Sequence, residues 1–130
     1  MAGRVVVFVQ SPSFEAAWMA GSLGLTSAAM GDEVFFVFSF DALRALARDH
    51  FGKPLTDREA VESARAEGLG APTPLQMLAE ARELGARFLA CDTMVKLCGL
   101  APADLGKRVD EIVGLASIWR LLDNARVLTF

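Results

Sequence analysis

A chain of 130 residues with 53% hydrophobic and 22% charged residues is long enough for one domain with its own core, and too apolar for a disordered or linker-like protein. The net charge is −3 and the Lys and Arg residues are scattered, so no stripe is available to neutralise phosphates and no nucleic-acid partner is expected. Two cysteines and no signal peptide lead to the expectation of a reducing, cytoplasmic setting.

The chain opens with Arg4-Val-Val-Val-Phe-Val-Gln10, a continuous β-branched and aromatic run. A run apolar on both faces suits a central parallel strand. Ser11-Pro12-Ser13 turns the chain into a helix expected from Phe14 to Met30, closed by Gly31 at the position after the C-cap. The uncharged part of that helix, Ala16 to Gly31, is too short to span a bilayer and carries Gly21, Ser22, Gly24, Thr26 and Ser27. It reads as a packing helix, and no membrane partner is expected. Glu33 to Ser39 repeats the buried-strand signature, and Phe40, Leu43, Leu46 and Ala47 recur at helical spacing in a short helix to Asp49.

Thr56 and Glu59 have the spacing of a capping box for a polar helix ending near Glu67. Its charged residues Asp57, Arg58, Glu59, Glu62, Arg65 and Glu67 read as one solvated face. Gly68 to Pro74 is a loop, with Pro74 as the first residue of a helix to Leu84. A strand is expected over Ala86 to Ala90, then a helix whose N-cap is Asp92 or Thr93. Pro102 to Gly106 predicts a turn of helix, Val109 to Val113 a fourth strand, Ser117 to Leu122 a short helix and Arg126 to Phe130 a last strand. Strands alternating with helices across short loops predict an α/β fold with a mostly parallel sheet, whose ligands bind beyond the carboxyl ends of the strands.

Cys91 falls at such an end. A thiol where a strand gives way to a helix meets unpaired N–H groups and the positive end of a helix dipole, which favour the reactive anion. The backbone at Thr93 and Met94, and the charge of Lys96, are candidate contributors. An unreactive reading stands beside this one, because free cysteine is often a small buried hydrophobe. Cys98, seven residues on, is either a second thiol that resolves an oxidised Cys91 or a core filler. A helix between the two opposes a direct disulfide, which favours the filler.

Other chemistries find little support. The turn after the first strand, Gln10 to Phe14, has no glycine for a dinucleotide or P-loop site. One His and two Cys do not make a zinc set, so neither metal nor cofactor is expected. His50 reads as a solvated loop residue rather than a base for Cys91. Trp18 and Trp119 lie on helices and cover either the sheet or a subunit interface.

Several segments together carry a family resemblance: Ala28-Ala-Met-Gly-Asp-Glu-Val-Phe-Phe-Val-Phe38, Phe88-Leu-Ala-Cys-Asp-Thr-Met94, Gly99-Leu-Ala-Pro-Ala-Asp-Leu105 and Val109-Asp-Glu-Ile-Val-Gly114. They resemble the DsrE/DsrF-like family of sulfur-handling proteins, in particular its single-domain members related to sulfur carriers, over nearly the whole chain. The cysteine segment is the specific part. The resemblance implies a three-layer α/β/α fold over residues 1–130 with a five-stranded mostly parallel sheet, and assembly as a homotrimer or hexamer. It also implies that Cys91 accepts sulfur as a persulfide from a donor protein or small donor and passes it to an acceptor. Two rivals remain at this point: a non-catalytic oligomeric subunit of the same fold, and a thiol redox sensor using Cys91 and Cys98.

Overall fold

The five apolar runs form strands in the structure, a computed structural model that describes residues 2–130. They are β1 (Arg4–Val9), β2 (Glu33–Phe38), β3 (Arg87–Cys91), β4 (Glu111–Val113) and β5 (Ala125–Thr129). Every pairing is parallel and the order across the sheet is β4-β3-β2-β1-β5. The helices are α1 (Phe14–Ala29), α2 (Phe40–Ala47), α3 (Asp57–Gly68), α4 (Pro74–Glu83), α5 (Asp92–Leu97), α6 (Pro102–Leu105) and α7 (Leu115–Leu121). The result is a three-layer α/β/α fold with an all-parallel sheet.

The layers follow from chirality. From β1 to β4 the chain steps one way across the sheet, so right-handed crossovers put the intervening helices on one face. The return from β4 to β5 runs the other way and puts α7 on the opposite face. Side-chain alternation along the strands then makes two cores. The larger joins Val5, Val7, Val9, Phe36, Phe38 and Phe88 to residues of α1, α2, α4 and α5. Within it Phe88 packs edge-on to Phe36 and Phe38, with both centroid separations 5.4 Å. The smaller joins Val6, Phe35, Val37, Leu89 and Cys91 to Ile118 of α7.

Gly24 lets α1 approach the sheet closely: a Cβ there would lie 2.2 Å from Phe36 Cζ. Gly31, with φ +92°, ends the same helix as expected, its N–H bonded to Ala28 O and that of Asp32 to Ser27 O. Pro74 opens α4, helped by a capping box between Thr73 and Gln76 that the pattern reading did not single out.

Four expectations need correction. Cys91 is itself the last residue of β3 and the N-cap of α5, in place of Asp92 or Thr93, because its backbone stays extended (ψ 137°). β4 starts at Glu111 and not Val109: the Asp110 carboxylate accepts the Phe88 N–H at 2.6 Å and pairs with Arg82, displacing the regular ladder. Phe40 does not sit on the buried face of α2; it is half-exposed with φ +47°. Glu59 does not belong to a solvated face. It is the buried residue of α3, 5% exposed.

The Glu59 exception has a direct cause. Its carboxylate accepts the Phe14 N–H at 2.5 Å, closing the first turn of α1, and also takes the Leu55 N–H and the Thr56 hydroxyl. Thr56 caps α3 as expected, through the Glu59 N–H. The reciprocal half of the box is redirected across to α1, where a negative group meets the positive end of a sixteen-residue helix.

Candidate functional site

Adjacent strands whose chains leave toward opposite faces open a crevice at their carboxyl ends, the usual ligand position in open α/β sheets. Here the chain diverges in this way after β3 and β4. After β3 the chain enters α5, whose Val95 joins the larger core, and after β4 it enters α7, whose Ile118 joins the smaller one. Cys91 pairs in register with Val113 at this point. Strand alternation directs its side chain to the α7 face, where one seven-residue helix is the cover.

Cys91 is 9% exposed, and its thiol and that of the partly buried Cys98 are both free. The Cys91 thiol donates to Asp92 Oδ1 at 3.7 Å. That oxygen also accepts the Thr93 N–H at 2.8 Å, so the Thr93 amide, expected to face the sulfur, is engaged by the neighbouring carboxylate. Lys96 is exposed, and its side chain makes no ion pair among the described residues. α5 is only six residues long, so its dipole is short. The polar neighbour of the sulfur is thus Asp92, a residue expected only as a cap. The adjacency of Cys91 and Asp92 was the available signal; which way the carboxylate turns was not.

Met94 and Cys98 act on another residue, Phe40. The Met94 sulfur accepts the Phe40 N–H at 3.4 Å, and the Cys98 thiol donates to Phe40 O at 3.8 Å. Both sulfur side chains are partly buried against the larger core, so Cys98 does fill space there. Together they pin the left-handed backbone at the carboxyl end of β2, next to β3. Backbone held in this region by surrounding contacts is common at functional rims.

The remaining candidates separate. His50 is exposed in the loop after α2. Trp18 is partly buried on α1, whereas Trp119 is 68% exposed on α7, as is Leu115 one turn before it. The first βα turn, where a phosphate sits in many nucleotide-binding α/β proteins, is occupied by the Glu59 carboxylate. Among the described residues no three His, Cys, Asp or Glu side chains converge as a metal set, and no helix is long and apolar enough to cross a membrane.

No family model and no curated protein sequence matches the chain. Among solved structures it is similar to a protein of unknown function, MTH1491 from Methanobacterium thermoautotrophicum. The TM-score is 0.65 at 17% identity, covering 98% of this chain and 99% of that one. At that identity the likeness establishes the fold, end to end, and leaves the chemistry to the site itself.

Proposed function

We propose that the protein is a sulfur carrier of the DsrE/DsrF-like kind that holds sulfur as a persulfide on Cys91, and that it works as a homotrimer or hexamer. The observation that carries this reading is the position of Cys91 at the strand ends where the chain leaves β3 and β4 toward opposite faces of the sheet. Asp92 supports it as a proton acceptor already hydrogen-bonded to the sulfur. Free thiols on both cysteines suit a reducing, cytoplasmic setting.

The transfer is an exchange without net oxidation. The Cys91 sulfur attacks the outer sulfur of a donor persulfide, and the donor's S–S bond breaks as the new one forms. The Cys91 proton passes through Asp92 to the departing thiolate, which leaves as a thiol. The same exchange in reverse loads an acceptor.

Intact mass of the reduced protein after brief exposure to polysulfide tests this. An adduct of one or more sulfur atoms is expected on the parent and on Cys98→Ser, and none on Cys91→Ser. If Cys91→Ser accepts sulfur as well as the parent, the carrier reading fails. A second reading, a non-catalytic oligomeric subunit, draws on the low exposure of Cys91 and the exposed Leu115 and Trp119. It predicts a thiol that resists a small alkylating reagent until the protein is unfolded.

A further inference from the structure

α3 packs unlike the other long helices. Its inward positions are Glu59, Ser63 and Ala66, at the i, i+4 and i+7 spacing of one helical face, while Val61 and Leu69 point outward at 50% and 86% exposure. Beyond Glu59, the side chains that α3 turns toward the body, Ser63 and Ala66, are small and fill little of the space beneath the helix. The consequence is a cavity of about 410 Å3 between α3 and the rest of the molecule. Phe14, Phe51, Pro54 and Pro74 form its apolar side, and Ser63, Ala66 and Glu67 line it from α3.

The floor is built firmly. Phe51 is 1% exposed and packs edge-on to Phe38, and Gly52 holds φ +76° so that its backbone lies against Pro74. A Cβ at Gly52 would fall 2.6 Å from Pro74 Cβ, so this approach requires glycine. The wall is fastened at one end. Glu59 and the Thr56 cap secure the start of α3, whereas the half carrying Ser63 to Glu67 has no buried residue. Two charges line the space, Lys53 on the body and Glu67 on α3. Among the described residues they do not pair with each other or with any other charged side chain.

We infer that this cavity binds a free α-amino acid with an apolar side chain. Its carboxylate faces Lys53, its ammonium group faces Glu67, and its side chain lies on Pro54, Pro72 and Leu75, the apolar lining residues that keep open surface above the closed Phe14, Phe51 and Pro74 floor. The volume is at the small end of ligand pockets, roughly 300–1,000 Å3, and suits a molecule of that size. The site is independent of Cys91 and of the sulfur-carrier reading.

Amide NMR spectra of the full chain, titrated with L-phenylalanine, test it against two singly charged analogues, 2-phenylethylamine and 3-phenylpropanoate. Saturable shifts are expected at Gly52, Ser63 and Gln76 with L-phenylalanine, and weaker binding of each analogue. Lys53→Met and Glu67→Gln should each weaken binding about fivefold, the size of one partly exposed ion pair. Ala66→Phe should abolish it by filling the space, with the strand amides unmoved. The inference is overturned if the shifts do not saturate, if Ala66→Phe leaves them intact, or if an analogue binds as tightly as the amino acid.

Discussion

The sulfur of Cys91 shows how one neighbour changes a reading. Position in the chain suggested a thiol served by backbone amides and Lys96, whereas its polar contact is the Asp92 carboxylate. Glu59 makes the same point at a distance, since an acid in a charged run becomes the cap of a helix 45 positions earlier in the chain. Asp32 is a third local case and carries a pH dependence. The Gly3 N–H and then the Ser27 hydroxyl hold its carboxyl below the ordinary value of 3.8. Because the native value is the lower one, this contribution to stability is present above pH 3.8 and is lost as pH falls through the native value. Asp32→Asn should therefore lower the urea midpoint at pH 7. The gap to the parent should narrow as the pH is taken below 3.8; a gap that stays constant would rule this account out.

Among the elements, α1 and α3 mark two extremes of attachment. α1 lies close against the sheet because its facing positions are Ala17, Ala20, Gly24 and Ala28, all buried. Gly24→Ala would force the Phe36 ring to move, and overpacking of this kind costs about 1–3 kcal/mol. Chemical denaturation should show that loss, and a neutral result would mean that the ring shifts freely. α3 is held by hydrogen bonds at one end and leaves a cavity under the other. Its helical character was readable from Thr56 and the charged run, but its seat was not. Hydrophobic periodicity reports which face is apolar, and α3 has almost no apolar face to report.

At the scale of the whole molecule, the two faces of the sheet are covered unequally. Helices α1, α2, α4 and α5 share one core, and on the other α7 contributes Ile118 alone among fully buried residues. Leu115 and Trp119, one turn apart on α7, are each 68% exposed, and the proposed oligomer would cover them. Light scattering after size exclusion should find a trimer or hexamer for the parent and a smaller species for Trp119→Glu. A monomeric parent would remove the oligomer from the proposal. The alternation of strands and helices, the burial of β1 and β2, and the place of Cys91 at a strand end were all determined by local pattern. Apolar runs, caps and turn residues act over a few neighbours, and a sequence displays those directly. Tertiary structure alone decided that Cys91 faces α7 beside β4, that Met94 and Cys98 grip Phe40, and that Glu59 is buried. Each depends on segments that meet only after the sheet is assembled, such as Phe40 and Met94, 54 positions apart, and no pattern of neighbouring residues encodes such a meeting.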